Sequence, residues 1–562
     1  MQLPFNARWL LPLALFLGLA LRVPGWFTQD IKDDWLTFEP DEGQHVHAAT
    51  HRFNDLYDGE KVGDYNSAPW NVRGYGHLIA TVAHGWYSLL DKPPSWRDFV
   101  LLGRQLSTVF SLLLIFAVWW LARSGGLSPP YAGVAALLLA ACDANATISH
   151  YCLPAAGYVF WCYLALLGAV RLGHGSASFG NLMLLALGSA GAIAFKFDVL
   201  PVAWGGLYLL HLAFMRRAVP WWFVPLGIAL VVGFIGISWY GWSWESIQAT
   251  FRGLRKLNAE GVPVENHFVD NLIVYPAGVL AGIGLPVFGL AVFGLRRLWG
   301  AGLSSGYASS GPHSSPGEGA VPSSGYASSG PHSSPGEGAA AGAKKVEGQG
   351  WTTKHWTLLY VTGWLVSEFL VRWSVDTAFI RRVNVFMPAV CLLCAYGLRE
   401  LKTYRWLPLA VVTYTFLFCV VGQSNHWFDT RYEMREFVNN ELPKDAKIGV
   451  SGYVTLKGLR KTGWFMSGNW DYAVIHETHY SRYWKSMTTP FGLPECCDGV
   501  YNCKSEKECT RMQALLSGTD ERARLLKAFR PRNWFPERIA YAHFFGNYET
   551  FLGETLVFER VR

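Results

Sequence analysis

The sequence FEPDEGQHVH, residues 38–47, lies just beyond the first long apolar run of the chain, which covers 9–27. It gathers carboxylates and imidazoles, whereas most of the sequence that follows is apolar. In such a chain, polar chemistry has to take place where lipid meets water. We therefore expect Asp41 and Glu42 to lie at that boundary.

The composition is that of a membrane protein. Of the 562 residues, 51% are hydrophobic, 15% are aromatic and only 16% are charged, whereas soluble domains usually carry about a quarter charged residues. The 26 tryptophans and 25 tyrosines suit rings at membrane interfaces. The net charge is +7, but the basic residues stand between apolar runs and form no basic face interleaved with aromatics. That pattern argues against nucleic acid as a partner.

Eleven apolar runs predict about eleven transmembrane helices, at roughly 20 residues a crossing. A cleaved signal peptide is the alternative for the first run, but no small-residue cleavage site follows it, which favours a retained helix. The shortest runs are 129–144 and 199–215. The eleven runs cover 9–27, 99–122, 129–144, 152–171, 181–197, 199–215, 220–239, 271–295, 353–371, 384–398 and 406–423.

The positive charges divide the connections into two sets. Lysine and arginine accumulate in cytoplasmic connections of membrane proteins, and every second connection here is basic. This places the N-terminus inside, and it places the 28–98 loop and the tail outside. The basic set is Arg8, Arg123, Arg171, Arg216, Arg217, Arg296, Arg297, Lys344, Lys345, Arg399, Lys402 and Arg405.

We predict a mainly α polytopic membrane protein with a small extracytoplasmic α/β domain at its C-terminus. A duplicated Gly/Ser/Pro-rich unit within 304–339 cannot bury enough apolar surface to fold. The predicted parts are a first helix in 1–27, a polar loop in 28–98, helices 2–8 in 99–297, a cytoplasmic insert in 298–352, helices 9–11 in 353–423 and the soluble domain in 424–562.

The tail carries short apolar runs at 447–451 and 472–476 that predict strands, and helical patterns at 431–440 and 520–529. It also holds Cys496, Cys497, Cys503 and Cys509. Their spacing lacks a paired zinc pattern, which favours disulfides and an oxidising compartment. The other six cysteines lie in or beside apolar runs and are expected to pack as small hydrophobes.

Two interpretations of Asp41 are open. Asp41 followed by Gln44 is a capping-box pattern, so Asp41 could simply cap a helix that starts at Glu42. Alternatively, adjacent carboxylates beside a membrane suit general-base chemistry. His45 stands three residues from Glu42, a spacing compatible with a metal, but no further ligand set is evident. A structural or substrate-contacting role for His45 is favoured, and no metal or other cofactor is expected.

Several cations are candidates for binding an anion. Lys196 and Asp198 lie where two apolar runs meet, and charges in membrane segments are functional candidates by default. An interfacial pair is the alternative. Arginines suit phosphate oxygens, and lipid headgroups are the other ligand they could meet. The remaining candidates are Arg372, Arg381 and Arg382 on the outer side, Arg104 inside the second span, and His150 at an outer turn.

Four stretches in order resemble motifs of the GT-C membrane glycosyltransferases, especially the family-39-like and aminoarabinose-transferase-like branch. The resemblance covers roughly residues 1–425. It departs at Ala155, which follows Pro154 where an aspartate is expected. The stretches are FEPDEGQHVHAATHRFND at 38–55, SHY at 149–151 with Pro154, AIAFKFDVL at 192–200 and FIRRVNVFMPAVCLLCAYGL at 379–398.

The resemblance implies a polyprenyl-phosphate sugar donor and inverting transfer to an acceptor hydroxyl outside the membrane, with Asp41 as general base and Glu42 beside it. The acceptor could be a lipid, a glycan or a protein. The compartment would be the bacterial periplasmic side or the lumenal side of the endoplasmic reticulum. If this is right, Asp41, Lys196 and the Arg381–Arg382 pair should converge beside a groove open to lipid.

Two other classes remain open. A polytopic transporter or flippase would often show matching halves with broken helices, and no such symmetry is visible in the sequence. A non-catalytic scaffold of the same architecture is the other, and the departure at Ala155 keeps it open.

Overall fold

The structure is a computed structural model of the chain. The residues it describes are 7–27, 40–54, 70–90, 93–174, 178–196, 222, 225–229, 232, 267–307, 353–373, 383–401, 403–454, 458–460, 462–480, 506–545 and 553–561.

The described part is mainly helical up to residue 440. Its helices, in order, are α1 (Ala7–Arg22), α2 (Pro24–Phe27), α3 (Pro40–Phe53), α4 (Trp70–Leu90), α5 (Trp96–Ser124), α6 (Pro129–Ala140), α7 (Asp143–Ile148), α8 (Ala155–Gly173), α9 (Phe179–Lys196), α10 (His267–Ile283), α11 (Leu285–Tyr307), α12 (Thr353–Trp373), α13 (Met387–Glu400), α14 (Leu407–Trp427) and α15 (Thr430–Asn440).

Within the described ranges, five helical segments are long and apolar enough to cross a membrane, or six if one bent pair counts as a span. The predicted number of about eleven is therefore not confirmed. The run at 199–215 and most of 220–239 lie outside the described residues. The five segments are Ala7–Trp26, Trp96–Ser124, Ala155–Gly173, Phe179–Lys196 and Leu407–Asn440.

Large apolar side chains are exposed along two of these segments, Trp9 and Phe16 on α1 and Val109 and Phe116 on α5. Rows of this kind are costly in water and suit a lipid environment. With the apolar helices, they make the chain an integral membrane protein.

The run predicted as one span at 271–295 is broken. Gly284 has a φ of +90°, a backbone conformation that glycine adopts without steric cost, and the two halves are bent by 117°. The freed amide of Leu285 donates to Glu537 Oε1 at 2.6 Å. Periodicity did not indicate this break, because the polar group that caps the second half comes from the C-terminal domain.

α8 and α9 approach unusually closely. A Cβ atom at Gly168 would lie 2.4 Å from the Leu185 amide nitrogen, and one at Gly188 would lie 2.3 Å from the Ala165 amide nitrogen. Small residues allow such contact between helices in a membrane. The close packing of α8 and α9 therefore holds Lys196, the last residue of α9, in a fixed position along the pair.

The C-terminal domain contains a five-stranded sheet in the order β2-β1-β3-β5-β4, parallel across β2, β1 and β3 and antiparallel across β3, β5 and β4. Three short or medium helices accompany it. The elements are β1 (Ile448–Val450), β2 (Gly463–Trp464), β3 (Tyr472–His476), α16 (Glu477–Tyr480), α17 (Glu506–Ser517), β4 (Ala523–Phe529), α18 (Pro536–Phe545) and β5 (Thr555–Arg560).

The strands predicted at 447–451 and 472–476 and the helix at 431–440 are confirmed. The helix predicted at 520–529 is wrong, because Ala523–Phe529 is a strand that pairs with β5 through a bulge. Long-range pairing overrides the local pattern there. Cys509 is disulfide-bonded, whereas the six cysteines of the apolar part are buried and free, as expected.

The C-terminal domain inserts a charged side chain into the membrane part. Arg538 forms a buried ion pair with Asp143 and donates to the Phe418 carbonyl at 2.9 Å. Gln423 Nε2 donates to the other oxygen of Asp143 at 2.7 Å. Breaking a buried ion pair costs far more than losing a surface pair, so these contacts hold the two parts in one arrangement.

We expect Gly422→Ala to break this junction. A Cβ atom at Gly422 would lie 2.3 Å from Asp143 Oδ1 and 2.4 Å from Arg538 Nη2, so the ion pair has to separate. The expected loss of stability is about 3 kcal/mol or more. Thermal unfolding of the full chain in detergent measures it. Gly289→Ala is the control, because nothing lies within 4 Å of a Cβ there; equal melting temperatures for the two variants would contradict the role of the junction.

Burial lowers the pKa of His476 well below its usual 6.5, and Arg431 and His479 lower it further. As the pH falls through about 6.5, His476 therefore takes up a proton in the unfolded chain but stays neutral in the folded domain. Stability contributed by the neutral imidazole is complete above that pH and is lost as the pH falls from there. We expect His476→Asn to weaken the fall in melting temperature between pH 7 and pH 5; an unchanged pH dependence would contradict this.

Candidate functional site

The predicted catalytic residues open a helix. α3 begins at Pro40, which suits the first turn because proline lacks an amide hydrogen that would otherwise need a partner. Asp41 is the second residue of this helix. The side chain of Asp41 lies outside the described residues, so its predicted roles as a cap or as a general base stay predictions.

Glu42, the next residue, is fully buried and is held by two other segments. Arg104 Nε donates to Glu42 Oε1 at 3.0 Å, and Arg104 Nη2 donates to Oε2 at 2.9 Å. The Cys152 amide donates to Oε1 at 2.6 Å. Arg104 is also fully buried, with 0% of its surface exposed. The start of α3 is thereby tied to the first third of α5 and to the turn before α8.

This arrangement brings two predicted site residues together. Glu42 is predicted to be catalytic and Arg104 to bind substrate, and the two side chains form a fully buried, bidentate contact. Bidentate arginine–carboxylate pairs fix orientation as well as charge. The geometry indicates that the pair holds the first turn of α3 in place. The sequence did not indicate this contact, because spacing along the chain does not report burial.

From α3 a series of ring contacts runs to α9. His45 meets the ring of Tyr75 edge-on, with centroids 5.8 Å apart, and Tyr75 lies 5.6 Å from Phe195. The Tyr75 hydroxyl is fixed by the Gly103 carbonyl and by Ser107, each at 2.7 Å. His45, predicted to contact substrate, is 4% exposed. It lies in this series, one helical turn from Glu42.

Lys196 stands at the end of the series. It is the last residue of α9, where a positive charge is favoured by the helix dipole. The preceding residue, Phe195, is buried among Phe110 and Trp161, with ring centroids 5.2 Å and 6.2 Å away. The Lys196 ammonium lies 5.2 Å from the centroid of the Tyr158 ring. The end of α9 is therefore packed against α5 and α8.

His150, another predicted substrate contact, is buried inside the protein. Its ring stacks on His426 at 5.0 Å, and its Nδ1 lies where a Cβ at Gly25 would be. His426 in turn contacts Thr147 at 3.3 Å. His150 thus joins α2 to α14, and its predicted contact with substrate stays a prediction.

The outer arginines are not placed by the structure. Arg372 belongs to the last turn of α12, with its side chain outside the described residues, and Arg381, Arg382 and Asp198 lie outside them altogether. Their predicted meeting with Lys196 stays a prediction.

Among the buried charged residues that were not predicted are Asp143, Glu368 and Arg538. Asp143 and Glu368 are isolated acids in apolar sequence, a signal that could have marked them, and Glu368 accepts from the Tyr158 hydroxyl at 3.1 Å. Arg538 carried no such signal, because it belongs to a polar tail. In the described part of the chain, no group of three or more His, Cys, Asp or Glu side chains is placed to hold a metal ion.

Comparison with known proteins gives distant structural similarities. No protein-family model matches the chain, and no curated protein matches it. ArnT from Cupriavidus metallidurans bound to undecaprenyl phosphate is similar over 84% of this chain and 93% of its own, at 13% identity and a TM-score of 0.46. The apo state of ArnT gives 13% identity, a TM-score of 0.45 and coverage of 83% and 93%.

The archaeal oligosaccharyltransferase AglB from Archaeoglobus fulgidus, in complex with an inhibitory peptide and a dolichol-phosphate, is similar over 99% of this chain and 88% of its own. The identity is 11% and the TM-score is 0.44.

Replacing Arg104 by Met should leave the Glu42 carboxylate buried without its cation, at a cost of about 3–5 kcal/mol. The double variant Glu42→Gln/Arg104→Met should recover part of that loss, because no uncompensated charge remains. Thermal unfolding of the full chain in detergent measures both.

Arg399→Met is the control, because Arg399 pairs with the partly exposed Glu400 and surface pairs contribute about 0–1 kcal/mol. Equal losses for Arg104→Met and Arg399→Met would contradict the buried ion pair.

Proposed function

We propose that this protein is a membrane glycosyltransferase. It moves a sugar from a polyprenyl-phosphate donor to an acceptor hydroxyl on the extracytoplasmic side, with inversion. The observation that supports this most is the series of contacts from Glu42 and His45 through Tyr75 and Phe195. It ties the helix that carries Asp41 to the end of α9, which carries Lys196.

The two reacting partners need opposite kinds of help. A phosphate leaves readily if its developing charge meets fixed cations. Among the described residues, we assign that role to Lys196. Arg372, Arg381 and Arg382 would supplement it. The acceptor hydroxyl is a weak nucleophile, and Asp41 accepts its proton as it attacks the sugar carbon. General-base help of this kind typically contributes about 10²–10⁴-fold.

The buried pair beneath Asp41 supports this role. A catalytic carboxylate has to be held within a fraction of an ångström by groups that are themselves fixed. Glu42 follows Asp41 directly and has hydrogen bonds from α5 and from the Cys152 amide. Neither Glu42 nor Arg104 needs to touch the substrate. Their function is to keep the first turn of α3 from moving.

The Asp41→Asn variant should fold and insert normally but lose about 10²-fold or more in transfer rate. The full chain is reconstituted in vesicles and given a panel of polyprenyl-phosphate hexoses and pentoses, with an extract of its native membranes as the acceptor source. Release of polyprenyl phosphate is the readout, because it does not require the acceptor to be known.

Asp98→Asn is the matched control, since Asp98 is a partly exposed carboxylate in the capping box of α5, and this variant should leave release unchanged. Release by Asp41→Asn at the wild-type rate would contradict the role of Asp41. Release from none of the donors would contradict the proposed function itself.

A further inference from the structure

Glu368 is an isolated acid in α12, within the shorter apolar helical segment Leu359–Leu370. It lies in the apolar sequence Trp364-Leu365-Val366-Ser367-Glu368-Phe369 of α12, and its side chain is fully buried. A buried carboxylate persists only with compensating hydrogen bonds or charges. The transfer reaction described above assigns it no task.

The Tyr158 side chain joins Glu368 to Lys196. The Tyr158 hydroxyl donates to Glu368 Oε1 at 3.1 Å, and the Lys196 ammonium lies 5.2 Å from the centroid of the Tyr158 ring. Tyr158 itself is 1% exposed. One phenol therefore holds an anion at its hydroxyl and a cation near its ring. The three residues come from three different helices, α12, α8 and α9.

The helices that carry the three residues pack closely together through α8. A Cβ at Gly157, next to Tyr158, would lie 2.4 Å from the Phe195 ring, so α8 and the end of α9 cannot shift independently. On α12, Trp364 is fully buried and meets Tyr163 of α8 edge-on at 6.3 Å. Glu368 and Lys196 thus lie on helices that both pack on α8, which carries the phenol that contacts each of them.

We propose that Glu368 is a positioning residue that acts on Lys196 as a resident counter-ion. When no lipid phosphate is bound, its negative charge stabilises the ammonium through the low-dielectric interior. When a polyprenyl phosphate binds at Lys196, the carboxylate repels it. This inference rests on the proposed function, and it adds that Glu368 keeps the lipid phosphate from binding so tightly that it is released slowly after transfer.

The sign of the effect separates this role from a structural one. Glu368→Gln keeps the size and an acceptor oxygen for Tyr158 but removes the charge. Binding of undecaprenyl phosphate should therefore become about tenfold tighter, which corresponds to about 1.4 kcal/mol. Binding of undecaprenol, which lacks the phosphate, should not change. Loosened packing would weaken both lipids alike.

The experiment titrates the full chain in phosphatidylcholine nanodiscs with undecaprenyl phosphate or undecaprenol, followed by tryptophan fluorescence. Glu400→Gln is the matched control, since Glu400 lies at the end of α13 with its side chain 40% exposed. Glu368→Gln in a Lys196→Gln background should give no tightening, because the cation on which the carboxylate acts is gone.

Tyr158→Phe provides a second variant that keeps the buried charge. It frees the carboxylate from its hydroxyl donor and lets it approach the ammonium, so undecaprenyl phosphate should bind more weakly. Unchanged or weaker binding of undecaprenyl phosphate by Glu368→Gln would overturn the proposal, and so would an equal change for undecaprenol. Because binding needs no turnover, these outcomes are distinct from a failure of the proposed transferase activity.

Discussion

The ion pair between Glu42 and Arg104 is the contact on which the rest of the site depends. Two opposite charges removed from water are stable only where both find their hydrogen-bond partners, and the Cys152 amide completes the set for Glu42. The cost of separating them fixes α3 against α5 and against the turn before α8. A flexible polar loop would otherwise be free to place Asp41 anywhere along the membrane surface.

A second buried ion pair fixes the other end of the stretch 143–152. Asp143 and Arg538 join the membrane helices to the C-terminal domain, and Glu537, the residue before Arg538, caps the broken helix at Leu285. The stretch 143–152 thus lies between two ion pairs. In a membrane, apolar packing alone favours no single arrangement of the helices strongly, so polar contacts of this kind determine which arrangement forms.

The sequence predicted the features that depend on local composition. The apolar runs predict a membrane protein, because about 20 consecutive apolar residues are the length that a transmembrane helix needs. Lys196 was noted because a lysine between two apolar runs is costly, and the structure places it at the end of α9. The strands at 447–451 and 472–476 were predictable because short buried runs bounded by turns have few alternatives.

The features that the sequence did not predict depend on distant partners. Arg104 was predicted to bind substrate, and its pairing with Glu42, 62 residues away, leaves no trace in any periodicity. Glu368 was overlooked within an apolar run, and 520–529 was taken for a helix because its pairing with β5 is non-local. Gly284 breaks a run that composition alone presents as continuous.

The most direct measurement is a cryo-electron microscopy structure of the full chain in nanodiscs with undecaprenyl phosphate bound. The account predicts the phosphate at hydrogen-bond distance from Lys196 Nζ, about 3 Å, with the Asp41 carboxylate facing the bound phosphate from the start of α3. A phosphate bound away from Lys196, or an Asp41 side chain directed away from the phosphate, would contradict it.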